Sequence, residues 1–304
     1  MKLGQGSHVY EVVENWAKLP QGIRLGYTHG VVVDSRDRVY IFNQSENAVL
    51  VFEQDGKFMN SWGREFAKGA HGMFMSKEGE DEYLYLTDLD RHLVVKATAN
   101  GEILWELGRP ELADIYQREE QYQPTDVAVA PNGDFYICDG YGQNWIHQYN
   151  SKVEYIRSWG GKGSAPGQLD CPHGIWVDTR GAEPLLLVAD RGNQRIQRFT
   201  LDGDHVDFVT AELRLPCCCY QFGDEMYIPD LLARVTIFDR SNRVITHIGD
   251  NPDIWKRKDW PNLPPEDLLI GKFVAPHALC VDSCGDLYVV EWHERGRVTK
   301  LRRL

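Results

Sequence analysis

Apolar and polar positions alternate along most of the chain in short runs broken by Gly, Asp and Asn. Alternation with a period of two marks strands that bury one face, and the breaks mark turns. One phrase recurs: a turn residue, a short apolar run, an Asp- or Gly-rich turn, a second apolar run, then an acid or its amide. It reads HGVVVDSRDRVYIFN from His29, HGMFMSKEGEDEYLYLTD from His71, TDVAVAPNGDFYICD from Thr125, HGIWVDTRGAEPLLLVAD from His173 and HALCVDSCGDLYVVE from His277. A degenerate copy, CCCYQFGDEMYIPD, starts at Cys217. A third run follows each copy, as in AVLVFEQDG or RIQRFTLDG, and a fourth ends in Trp62-Gly63, Leu107-Gly108 or Trp159-Gly160 in three of them.

Repeated antiparallel meanders of four strands predict an all-β chain folded as a six-bladed β-propeller, one domain over residues 1–304. The last copy runs out after its third strand, and the segment His8–Trp16 alternates like a strand. That segment is expected to supply the missing outer strand and close the ring, which protects edges an open sheet exposes. Two insertions interrupt the period, at about 109–123 and 251–272, the second carrying Trp255 and Trp260. Segments of that length are either padding over a propeller face or a wall of a binding site.

Composition adds exclusions. A balance of 45 acids against 33 bases argues against nucleic acid and anionic membrane surfaces, both of which need a basic footprint. No stretch approaches the roughly 20 apolar residues of a membrane span. The first residues, MKLGQGSHVYEVVENW, lack the apolar core of a secretory signal, so a cytoplasmic location is expected. Seven cysteines, three of them consecutive at Cys217, Cys218 and Cys219, then read as reduced thiols rather than a disulfide framework.

In antiparallel blades the first strand starts where the second ends, so both sets of residues gather at one mouth. The starts are His29, His71, Thr125, His173, Cys217 and His277; the ends are Asn43, Asp88, Asp139, Asp190, Asp230 and Glu291, followed by Gln44, Arg91, Tyr141, Arg191 and His293. Three of the four histidines share a local phrase, Ala70-His71-Gly72, Pro172-His173-Gly174 and Pro276-His277-Ala278. Three converging imidazoles with no fourth protein ligand describe a catalytic metal site with an open position, and nitrogen donors favour Zn²⁺, Fe²⁺ or another transition metal over Mg²⁺ or Ca²⁺. Alternatively, His-Gly is only a favoured way into an inner strand. The Asp residues at the strand ends read as turn acceptors. Tyr141, between two glycines, is a candidate to face the channel. Three adjacent cysteines on a strand cannot reach one ion together, so Cys217 takes the channel position and the others the core. Gly160–Ser164 lies between strands, not before a helix, and is no phosphate loop.

These phrases resemble NHL repeats, and more specifically the catalytic core of the peptidyl-α-hydroxyglycine α-amidating lyases. The similarity is clearest over Lys68–Phe199 and resumes at VAPHALCVDSCGDLYVVEWH; the first copy and Cys217–Lys272 diverge. The resemblance implies a six-bladed propeller with zinc on His71, His173 and His277, a catalytic Tyr141 and an active-site Arg191. Three positions depart from the family: Gln44 stands where an Arg is expected, Ala278 replaces an Asp that binds structural calcium, and His29 occupies a position without His. Structural Ca²⁺ is therefore doubtful here, and Gln44 and His29 are expected to retune the pocket. The implied activity is a metal-dependent lyase acting on a small oxygenated or carbinolamide-type substrate, with Tyr141 as general base or proton relay. The unperturbed Tyr pKa is near 10, so base chemistry requires the metal or Arg191 to lower it. A hydrolase with the same site and a non-catalytic NHL recognition module, which leaves room for a protein partner, are the competing readings.

Overall fold

The computed structural model describes residues 1–112 and 114–304; Ala113, inside the first insertion, lies outside the described residues. Its regular elements are strands and a few single turns of 3-10 helix. Six antiparallel sheets follow one another along the chain, giving the all-β, six-bladed propeller class. They fall into two compact units, one formed by Met1–Lys68 with Tyr220–Leu304 and the other by Gly69–Cys219.

The second unit holds blades 2, 3 and 4. Their inner strands are Ala70–Glu78, Asp126–Val129 and Pro172–Asp178, each followed by three antiparallel strands in chain order. Val127, Ile137, Phe135 and Tyr149 pack with Tyr85 and Val94 in one buried cluster, and Ile175, Val188 and Phe199 pack with Tyr136 and Ile146 in another. The first insertion belongs to this packing: Tyr116 and Tyr122 are buried within the first cluster.

The first unit holds blade 1 (inner strand Thr28–Val33), blade 5 (Tyr220–Phe222) and blade 6 (Pro276–Val281). Blade 6 ends with Arg297–Arg303, and His8–Val13 pairs with that strand antiparallel, as expected of the closing segment. The strand stops at Val13 rather than Trp16: the chain turns at Asn15, φ 52°, and the Trp16 indole packs on Phe52 and Tyr288 while donating to the Gln54 carbonyl at 2.9 Å. A fifth strand, Lys2–Gln5, adds outside it. Blade 5 also corrects the sequence reading. Its inner strand begins only at Tyr220, so Cys217–Cys219 lie ahead of it. The Cys217 carbonyl accepts a bond from His173 rather than joining a ladder. Cys217 and Cys219 are buried and Cys218 is half-buried. Glycine is required where inner strands meet: a Cβ on Gly72 would sit 2.4 Å from the Thr125 carbonyl, and one on Gly174 2.4 Å from that of Cys217.

Candidate active site

Each inner strand that carries a histidine is bulged at it. Pairing with the second strand shifts register between Thr28 and Gly30, Ala70 and Met73, Pro172 and Gly174, and Pro276 and Ala278. His29, His71, His173 and His277 all fall in the gap. A bulge turns a side chain off the ladder and is common beside active sites. The blade 3 strand carries no such shift.

A second regularity joins these histidines to their neighbours. His71 Nδ1 donates to the Thr125 carbonyl at 2.7 Å, His173 Nδ1 to the Cys217 carbonyl at 2.8 Å, and His277 Nδ1 to the His29 carbonyl at 2.8 Å. In each case the acceptor is the equivalent residue of the blade that comes next in the repeat. The bond fixes the tautomer and leaves Nε2 as the basic nitrogen, the usual support for a ligating imidazole. Burial holds the His71 imidazolium down to about 3, so the ring is neutral and its Nε2 lone pair is available.

Within the second unit the expected residues converge on one atom. The Tyr141 hydroxyl lies 3.3 Å from His71 Nε2, 3.0 Å from His173 Nε2 and 3.1 Å from Arg191 Nη2, which donates to it. The two imidazole rings are 4.8 Å apart, and the guanidinium lies 5.3 Å over the Tyr141 ring. Burial pushes the Tyr141 hydroxyl up to about 12 against the pull of Arg191.

The loop carrying Tyr141 is built from below by Asp139. Its buried carboxylate accepts from the Tyr116 hydroxyl at 2.6 Å, Gln143 N at 2.6 Å and Gln123 N at 2.7 Å. His147 Nε2 donates to Tyr116 at 2.7 Å while its Nδ1 accepts from Ser158 at 2.6 Å. The first insertion thus ties down the Tyr141 loop. The flanking glycines allow this approach, since a Cβ on Gly142 would lie 2.0 Å from Asp139 Oδ1 and one on Gly140 2.3 Å from the Pro172 carbonyl. Cys171, whose Sγ is 3.3 Å from Arg191 Nη2, is a neighbour that sequence reading missed. So is the Tyr116–His147 chain. Only the D-G-Y-G phrase hinted at a loop this tightly packed.

In the first unit His29 and His277 stack edge to face with ring centres 4.6 Å apart. Both are buried. Gln44 follows the second strand of blade 1, its N–H bonded to the Tyr27 carbonyl at 2.9 Å. The second insertion packs beside these strand ends: Trp260 on Trp292, Asn262 Nδ2 donating to the Tyr27 hydroxyl at 2.8 Å, and His293 Nε2 donating to the Leu263 carbonyl at 3.0 Å. The acids at the strand ends hold turns. Asp88 accepts from Arg91 Nε at 2.7 Å, Asp190 from Arg195 Nε at 2.7 Å, and Glu291 from Val274 N at 2.6 Å.

Comparison with known proteins agrees with this anatomy. The NHL repeat model matches residues 122–149, the stretch holding Thr125, Asp139 and Tyr141. Human NHL repeat-containing protein 3 is 30% identical over 204 residues, covering 64% of this chain and 57% of that protein. Peptidyl-alpha-hydroxyglycine alpha-amidating lyase 1 of Drosophila melanogaster is 32% identical over 168 residues, covering 51% of this chain and 29% of that protein. The chain therefore spans little more than half of the first relative's length. Among solved structures, a streptogramin B lyase superposes with a TM-score of 0.65 at 12% identity, covering 99% of this chain and 98% of that one, which is a likeness of fold. Among the described residues, no helix is long and apolar enough to cross a membrane.

Proposed function

We propose that the chain is a metal-dependent lyase of the amidating-lyase type, acting on a small carbinolamide. The observation that carries this reading is the single Tyr141 hydroxyl within hydrogen-bonding reach of His71 Nε2, His173 Nε2 and Arg191 Nη2. The donor set fits a borderline ion: neutral imidazoles with their outer nitrogens tied to carbonyls. His71 and His173 would hold that ion, Zn²⁺ or a similar transition metal, with His277 the third ligand that the resemblance implies, and it would polarise a substrate oxygen. No Asp follows His277, and structural Ca²⁺ has no part in the proposal.

The reaction moves one proton from oxygen to nitrogen. The C–N bond of the carbinolamide breaks, its electron pair goes to the amide nitrogen, and the former hydroxyl carbon becomes an aldehyde. Tyr141 suits the relay: it gives its proton to the departing nitrogen and regains one from the substrate hydroxyl. Arg191 steadies the phenolate in between. Gln44, neutral where the resembled enzymes carry a cation, favours a substrate with less negative charge at that end.

The test is aldehyde release from a small α-hydroxyglycine amide by metal-loaded protein. Tyr141→Phe is expected to lose about 10²- to 10⁴-fold in kcat with metal content unchanged. No aldehyde from loaded wild type overturns the reading. In that event the non-catalytic recognition-module reading of the propeller stands.

A further inference from the structure

Asn144 stands just before the third strand of blade 3, and its backbone is left-handed, φ 64°, a conformation Asn accepts more readily than most side chains. Its N–H donates to the Asp139 carbonyl at 3.0 Å and its carbonyl accepts from Gly161 N at 2.8 Å, which fixes where the side chain points. Its Oδ1 accepts from Cys171 N at 2.7 Å. Cys171 in turn holds Arg191 twice: its carbonyl accepts from Arg191 N at 3.1 Å, and its Sγ lies 3.3 Å from Arg191 Nη2. Two residues further on is His173. One amide oxygen thus joins the Tyr141 loop to the segment that carries His173 and grips Arg191, the two groups of blade 4 that meet the Tyr141 hydroxyl at 3.0 and 3.1 Å. The equivalent position in blade 2 works with the opposite polarity: His92, φ 57°, donates from Nδ1 to the Tyr122 carbonyl at 2.8 Å. Blade 3 needs an acceptor for an N–H, and Asn supplies it.

We propose that Asn144 is the positioning residue that keeps Arg191 on the Tyr141 hydroxyl. Its part in turnover rests on the reaction proposed above; its part in the geometry does not. The backbone of Cys171 is itself left-handed, φ 54°, a conformation that a residue other than glycine keeps only where its surroundings impose it. The bond to Asn144 imposes it at the Cys171 N–H, and the bond from Arg191 N imposes it at the carbonyl. Without the Asn144 oxygen the N–H loses its partner, the segment turns, and Arg191 Nη2 loses its anchor beside Tyr141. A misplacement of about 1 Å is enough to cost about 10²-fold in rate.

The experiment follows the Arg191 guanidinium of the full chain by nitrogen NMR, its signals assigned by their loss in Arg191→Lys. A guanidinium held at Nη2 does not spin freely about Cζ–Nε and gives separate Nη1 and Nη2 signals, whereas a released one gives a single averaged signal. Separate signals are expected in wild type. Asn144→Gly keeps the left-handed backbone and removes the acceptor, so averaged signals and Cys171 amide exchange at least about tenfold faster are expected. Asn144→Asp keeps both backbone and acceptor and should restore the wild-type pattern. With a small α-hydroxyglycine amide, kcat of Asn144→Gly should fall about 10- to 100-fold with KM little changed. Averaged signals in wild type, separate signals in folded Asn144→Gly, or an Asn144→Asp that restores nothing overturn the inference. So does a wild type without scalar coupling between Cys171 N and Asn144 Cγ across their hydrogen bond, a measurement that stands even where Asn144→Gly does not fold. The expected NMR pattern with no aldehyde from any of the proteins fails the proposed reaction and leaves the positioning role intact.

Discussion

Alanine in place of Gly72 is expected to damage the fold and the metal site together. The added Cβ would lie 2.4 Å from the Thr125 carbonyl oxygen, 2.8 Å from Asp126 Cα and 2.9 Å from Asp126 Oδ1, where ordinary contact begins at 3.4 Å. Two of these neighbours are backbone and cannot rotate away. Relief needs about 1 Å of displacement between the inner strands of blades 2 and 3, which stretches the 2.7 Å bond from His71 Nδ1 beyond the ~3.2 Å limit of a hydrogen bond. Overpacking of this kind costs about 1–3 kcal/mol, and the lost bond adds about 1 kcal/mol. The expected destabilisation is therefore about 2–4 kcal/mol by urea unfolding. Metal affinity should fall about 10- to 100-fold, as for other losses of an outer partner. Blade 6 supplies the control, because Ala278 stands at the equivalent position after His277. Ala278→Gly should cost no more than about 1 kcal/mol. A Gly72→Ala protein that unfolds and binds metal like wild type would refute the close-approach argument.

Three further outcomes follow. Asp139→Asn leaves three donors, Tyr116, Gln143 and Gln123, facing an amide that accepts through one oxygen only. It should destabilise by about 2–3 kcal/mol and lower kcat through the Tyr141 loop, whereas unchanged turnover at wild-type stability would remove Asp139 from that role. Burial raises Asp126 to about 7 from 3.8, so the native state keeps a proton that the unfolded chain has lost, and the stability linked to it falls as pH rises through that window. Asp126→Asn should gain on wild type by about 1.4 kcal/mol per pH unit between about pH 4 and 7; a pH-independent difference contradicts the assignment. His71 and His147, held down to about 3 by burial, act with the opposite sign. They contribute stability above about pH 6.5 that is lost toward pH 3, and His147→Gln should flatten acid unfolding measured by fluorescence.

Much of the architecture is written in local pattern. Period-two alternation and the recurring phrase give the blades, and the missing last strand points to His8–Val13 because both ends of a ring must pair. The phrase fails at Cys217, where alternation continues but the carbonyl is taken by His173 and no ladder forms until Tyr220. The candidate site is legible as residue types: His at equivalent starts, Tyr between glycines, Arg after the second strand. Its geometry is not. A bulge adds no residue signature, so nothing in HGVVV or HGMFM announces the register shift. The Tyr116–Asp139 bond joins an irregular insertion to a strand end, and Arg191 meets Tyr141 across fifty positions of sequence. Burial outweighs the pull of Arg191 on Tyr141, and desolvation depends on packing that no single motif encodes.

The most direct measurement is metal content by elemental analysis after mild chelation and dialysis, for wild type beside His71→Ala, His173→Ala and His277→Ala, each checked for fold by circular dichroism. The account predicts about one equivalent of a transition metal in wild type and a large loss in all three variants. Folded wild type that neither carries nor takes up Zn²⁺, or variants that bind it as wild type does, would contradict the metal centre on which the proposed chemistry depends.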